Sequence, residues 1–213
     1  MILLFGAEKG GVGKSTMAIN MAAIRAAQGR DVLLVDTDRQ GSSQQWASIR
    51  MEEGHMPAIA CVSLYGKTLT DQVRAMIGKY DDIVIDAGGR DSVELRAAMM
   101  VADVLVTPSM PSQFDIFSLS TMDRLVGEAQ AFNTKLQAYI LVNGAPTNPA
   151  QTDADDMREY LSEMKNYFTL TSTIKARKAY RRCARDGLAA TELSAADEKA
   201  AAEMMALAAE VWK

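Results

Sequence analysis

The sequence predicts an α/β fold with a mostly parallel, doubly wound sheet. Three observations point there. Short runs rich in Val, Ile and Leu recur along the chain, helical stretches separate them, and a glycine-rich loop joins the first run to the first helix. Continuous apolar runs belong to strands covered on both faces, and strand–helix–strand repetition gives parallel neighbours with right-handed crossovers.

Residues 2–5, 32–35, 83–85, 104–106 and 139–142 are the strong strand candidates, and 59–62 and 168–170 the weaker ones. Helices are expected over 14–28, 42–53, 69–79, 92–101, 114–132 and 154–165. Asp81 and Asp82 read as turn residues ahead of their strand, and 143–152 as a turn-rich loop. Residues 175–185 suit a basic helix. The stretch 194–213 suits a packed C-terminal helix with Met204 and Met205 in the core. Nothing repeats internally and no linker stands out, so residues 1–213 are expected to form a single domain.

With 48% hydrophobic and 23% charged residues among 213, the composition is that of a folded cytosolic protein. A net charge of −4 argues against coating nucleic acid over the whole surface and leaves room for a local basic patch. Cys61 and Cys183 lack the spacing of a disulfide framework or metal site and read as buried or half-buried thiols. His55 is the only histidine, which leaves His-based triads and metal sites little to work with. No apolar run reaches membrane-spanning length. The first residues read as a strand and not as a signal peptide.

The segment Glu8-Lys9-Gly10-Gly11-Val12-Gly13-Lys14-Ser15-Thr16 follows the first strand and opens the first helix. Glycines let successive backbone N–H groups turn inward around phosphate oxygens, and the helix N-terminus adds partial positive charge. Lys14 is placed to reach β- and γ-phosphates, and the Ser15 hydroxyl to ligate Mg²⁺. These features define a P-loop with Gly10, Gly11, Val12, Gly13, Lys14, Ser15 and Thr16 around the phosphates. A nucleotide with β- and γ-phosphates is expected there, together with Mg²⁺.

The usual GxxxxGK[ST] pattern requires glycine where this chain has Glu8, and Lys9 is an additional early lysine. The segment resembles the deviant Walker A motif of the ParA/MinD family, closest to short ParA-type partition proteins without an N-terminal DNA-reading domain. That resemblance implies that the nucleotide is ATP, and it implies an ATP-bound homodimer in which Lys9 reaches the partner's nucleotide and acts in catalysis beside Lys14. A second cation near the transferring phosphate would stabilise charge there as an arginine finger does.

Asp36-Thr37-Asp38-Arg39-Gln40 ends the second strand, where doubly wound sheets bind ligands, and resembles the family's DxDxQ element with Arg39 in place of a frequent Pro. The resemblance implies that Asp38 orients or activates the attacking water and that Asp36 supports the Mg²⁺ region. Ile83-Val84-Ile85-Asp86 matches a Walker B strand, whose carboxylate usually holds Mg²⁺ through water. Gly88 and Gly89 would then let the backbone approach and leave the γ-phosphate. The stretch 107–115 looks like the family's segment near the dimer face. Asn143 matches the asparagine that reads adenine, although an Asn before Gly144 is also a good turn.

Lys175, Arg177, Lys178, Arg181, Arg182 and Arg185 are six cations with no acid among them. Of 23 basic residues in the chain these six leave 17 against 27 acids, so the rest is clearly anionic. On a helix Arg177, Arg181 and Arg185 recur every four residues with Lys178 and Arg182 adjacent, and Ala179, Tyr180 and Cys183 take the other side. Non-specific DNA is the expected partner, because nothing in the stretch is suited to reading base edges.

From Asp197 onward four acids face two lysines, which disfavours the lipid-binding tail of MinD-type relatives and predicts no membrane partner. The reading is a cytoplasmic, nucleoid-associated ATPase that positions plasmid, chromosome or protein cargo, with a ParB-like or cargo adaptor protein stimulating slow hydrolysis. A membrane-associated regulator and a metabolic enzyme of the same fold are the alternatives. Iron–sulfur relatives need a cysteine soon after the Walker B strand, and none stands there.

Overall fold

The computed structural model describes residues 1–89, 91–111, 113–148, 157, 160–161, 164–194 and 197–213. Its strands are β1 (Ile2–Ala7), β2 (Val32–Asp36), β3 (Ala60–Ser63), β4 (Asp82–Gly89), β5 (Val104–Ser109), β6 (Gln137–Ala145) and β7 (Phe168–Lys175). Its helices are α1 (Lys14–Ala27), α2 (Ser42–Glu52), α3 (Leu69–Met76), α4 (Val93–Met99), α5 (Gln113–Gln130), α6 (Lys178–Asp186) and α7 (Glu198–Val211), with a 3₁₀ turn at Ala190–Glu192.

All seven strands lie in one sheet ordered β3-β2-β4-β1-β5-β6-β7, and every adjacent pair is parallel. Successive residues of a strand point to opposite faces. Leu3, Phe5, Leu34, Val84 and Val106 pack with α1, Trp46 of α2, α6 and α7 on one side. Leu4, Leu33, Val35, Ile85 and Leu105 pack with α3, α4 and α5 on the other. Both faces are covered, so the runs are apolar at every position. Burying each such side chain contributes about 1.5–3 kcal/mol.

Chain order places the site. From β1 the chain moves to β2 and β3, returns to β4 between β2 and β1, and then continues to β5 on the far side. The carboxyl ends of β1, β2 and β4 therefore meet where the winding reverses, the position at which open α/β sheets take ligands.

Several expectations need correction. Asp82 is not a turn residue: it is buried at the start of β4 and accepts from Arg25 Nε at 2.7 Å. Asp81 does stand in a turn role, accepting from the Asp31 amide. The weak strand at 168–170 extends to Lys175, because Thr171, Thr173 and Ile174 are β-branched and continue the pairing with β6. The basic helix is shorter than expected for that reason: Lys175 ends β7 and Arg177 is the N-cap of α6. Strand β6 also runs through Ala145, into the expected loop, with Gly144 at φ 68° where the pairing register shifts. Met204 is buried, but Met205 is 46% exposed, since the two neighbours fall on different sides of α7. The helix expected over 154–165 lies mostly outside the described residues, as do Ser112 and the side chains of 113–117 in the stretch 107–115. The thiols are as expected, Cys183 buried and Cys61 half-buried.

Candidate functional site

The loop between β1 and α1 is shaped by its glycines. Gly13 has φ 96°, and a Cβ on it would stand 2.4 Å from Asn143 Nδ2. Gly10 differs: its φ is ordinary and a Cβ would meet nothing within 4 Å, so internal packing does not demand glycine there. Space kept clear above the backbone is what a phosphate group requires. The first turn of α1 carries neither a side-chain cap nor an acid, which leaves its amides to an incoming anion.

Lys14 is only 6% exposed, and its Nζ donates to the Lys9 carbonyl at 3.2 Å. Burial lowers its pKa, and the nearby charges of Asp86 and Asp38 oppose that shift. Lys9 is half-buried in the same loop. Ser15 and Thr16 stand half-buried on the first turn of α1.

Asp86 is fully buried within β4. Burial pushes its pKa up to about 7, while hydroxyls of Ser15 and Ser43 pull it down. Oδ2 accepts from Ser43 Oγ at 2.7 Å, whereas among the described residues Oδ1 has no hydrogen-bond partner. A buried carboxylate oxygen without a donor is costly, and a hydrated cation beside Ser15 would satisfy it. The donor set of Ser15 hydroxyl and Asp86 carboxylate is oxygen-only and suits Mg²⁺.

Asp36 is also fully buried, but both of its oxygens are taken. Oδ1 accepts from the Asp38 amide at 3.0 Å and Oδ2 from the Gln44 amide at 2.9 Å. Burial raises its pKa against the pull of these amides. Asp36 thus serves as the internal anion at the N-terminus of α2 and shapes the turn that carries Asp38.

Asp38 is half-buried, with Oδ1 accepting from the Gln40 amide at 3.0 Å. Its carboxyl group lies beside the end of β4, where a Cβ on Gly88 would approach its Cγ to 3.5 Å. A Cβ on Gly89 would come within 3.3 Å of the Gly10 amide nitrogen. The two glycines let β4 close against the Asp38 turn and the phosphate loop together. Asn143 also touches the loop, its Nδ2 donating to the Val12 carbonyl at 2.6 Å.

The basic segment is less uniform than its sequence. Arg177 turns to Glu203, with Nε at 3.0 Å. Arg182 pairs with Asp197, and Arg185 pairs with its neighbour Asp186. Of the expected face, Arg177 falls out as the N-cap and Arg182 is half-buried, which leaves Lys178, Arg181 and Arg185 exposed at i, i+3 and i+7 of α6. Among the described residues no ion pair involves Lys178 or Arg181. Ala179, Tyr180 and Cys183 occupy the buried side as expected.

Three residues here escape sequence reading. Ser43 and Arg50 belong to no motif, and the position of Asp82 ahead of a strand suggests a turn. Arg50 is in fact 2% exposed. Its guanidinium donates to the Pro57 and Gly187 carbonyls and to both Glu192 carboxylate oxygens. It therefore ties the end of α2 to the residues just after α6.

The fold and the loop together define a P-loop nucleotide-binding protein. The model of the CobQ/CobB/MinD/ParA nucleotide binding domain matches residues 3–189, and the chain belongs to that family. The maintenance of carboxysome distribution protein A of Halothiobacillus neapolitanus is 28% identical over 95% of this chain and 92% of its own length. Two solved structures share the fold. Apo McdA of Cyanothece has a TM-score of 0.81 at 14% identity, covering 99% of this chain and 98% of that one. The septum site-determining protein MinD of Pyrococcus horikoshii, complexed with Mg-ADP, has a TM-score of 0.78 at 17% identity, covering 100% and 96%. Among the described residues no helix is long and apolar enough to cross a membrane.

Proposed function

We propose that this chain is an ATP-switched positioning ATPase that dimerises on ATP, binds DNA without sequence preference and moves cargo through an adaptor that stimulates hydrolysis. The observation that carries the proposal is the loop itself: Lys9 and Lys14 share one turn between β1 and α1, with the Asp38 turn and β4 closed against it.

In this reading the loop amides and Lys14 hold the ATP phosphates, Ser15 and Asp86 hold Mg²⁺, and Asp38 orients the attacking water. Lys9 serves the nucleotide of the partner copy. Asn143, against the loop at the end of β6, is the adenine-side residue. Asp36 supports the site indirectly, through the turn and helix it anchors. Lys178, Arg181 and Arg185 form the DNA face, and a dimer presents two such faces. Affinity for a polyanion rises steeply with the number of phosphates contacted, so dimerisation by ATP controls DNA binding without ATP touching DNA. The relative named for carboxysome distribution supports a protein assembly as one cargo class, beside plasmid or chromosome complexes.

Light scattering of the purified chain with ATP, ADP and no nucleotide tests the switch. The expected result is a doubled mass with ATP in the wild type and a monomer in Lys9→Ala that still binds nucleotide. A monomer under every condition, with ATP bound, would overturn the proposal.

A further inference from the structure

We infer that Ser43 is a positioning residue of the magnesium site, fixing the Asp86 carboxylate so that Oδ1 is presented to the cation. The inference rests on the reading of Asp86 as the magnesium-side carboxylate.

Ser43 is fully buried on the first turn of α2, and its hydroxyl donates 2.7 Å across to Asp86 on β4. The ordinary uses of a serine at this place do not account for it. The N-cap of α2 is Gly41, the side chain that accepts from the opening turn of the helix is that of Asp36, and the Ser43 hydroxyl does not return to the preceding turn. Ser48 on the same helix shows that ordinary alternative, bonding the Gln44 carbonyl four residues back.

A carboxylate rotates readily about its last torsion. With Oδ2 held by Ser43 and Oδ1 without a partner, Asp86 keeps one defined oxygen available. The donor is itself held firmly. The Gln44 amide is bonded to Asp36 at the start of α2, and Arg50 is seated on the Gly187 carbonyl and Glu192 near its end. An outer hydrogen bond from a fixed element to a carboxylate is the means by which proteins orient metal-site groups, and its loss typically weakens metal binding about 10–100-fold.

The test uses a fluorescent ATP analogue on the full chain, first in EDTA and then across a Mg²⁺ titration. For Ser43→Ala the expected result is an EDTA affinity within about twofold of wild type and a half-saturating Mg²⁺ concentration raised about tenfold. Ser43→Cys, close in size with a weaker donor, is read the same way if the alanine variant does not fold. An unchanged Mg²⁺ midpoint would overturn the inference. So would an EDTA affinity that falls as much as the Mg²⁺-dependent one, which is the sign of general loosening. Asp86→Asn separates the two levels. A midpoint moved by Asp86→Asn but not by Ser43→Ala sinks only the role of Ser43. A midpoint moved by neither sinks the reading of Asp86, and the inference with it.

Discussion

The phosphate loop and the basic segment carry charge in opposite ways. In the loop region the structure keeps charge uncommitted: Asp86 has an oxygen without a donor, and the amides opening α1 meet no acid or cap. In the basic segment part of the charge is already answered from within, since Arg177 and Arg182 pair with Glu203 and Asp197. Cations in a row on the sequence are therefore not equal in the fold. Those that pack α6 against α7 and those that remain for a partner interleave along one short helix.

Five substitutions break or sharpen that contrast. The largest effect is expected at Arg50, which holds the turn after α6 to α2. Arg50→Ala leaves Glu192 and two carbonyls without their donor and should cost about 3–5 kcal/mol in urea unfolding. A loss under 1 kcal/mol would show that the segment is held by apolar packing alone. Next is Lys14→Ala, which should lower ATP hydrolysis by about 10²–10³-fold, the usual effect of removing one preorganised transition-state donor. Circular dichroism should show the fold retained, because among the described residues the amine's hydrogen bond is to the Lys9 carbonyl of its own loop.

Within the basic segment the two kinds of cation should separate by measurement. Arg177→Ala should destabilise the chain by about 1.5–3 kcal/mol, since it removes a charged hydrogen bond that is mostly shielded. Arg181→Ala should change stability by less than about 0.5 kcal/mol. Equal effects on unfolding would erase the distinction drawn here. The smallest effect concerns acid. Burial of Asp82 would raise its pKa, but Arg25 leads the interactions that outweigh burial and hold it below the ordinary 3.8. A depressed carboxylate stabilises the fold above its unfolded pKa and loses that contribution as pH falls through the folded value. The Asp82→Asn variant should therefore show a shallower loss of stability than wild type below about pH 4.

Sequence reading reached the phosphate loop and the sheet because both are written locally. Glycine spacing dictates a backbone shape, and a strand buried on both faces is apolar at each residue. The end of β7 was harder, since Lys175 carries the charge of the next helix but the pairing of the strand before it. Asp82 and Arg50 were hidden for a related reason. Each is polar, and each is buried because a partner distant in sequence satisfies it. Ser43 needed the fold as well, for its partner lies 43 residues away. Asn143 was singled out for adenine, and the fold adds a contact with Val12 that its sequence neighbours do not suggest.

The most direct test of the central claim is binding to a random-sequence DNA duplex with ATP, ADP or no nucleotide, at two salt concentrations. Tight binding is expected only with ATP, with steep weakening as salt rises. Lys9→Ala should lose it, and Lys178→Ala with Arg181→Ala should flatten the salt dependence by about two units of slope for each chain bound. DNA binding that ignores nucleotide, or none at all in a chain that still binds ATP, would contradict that claim.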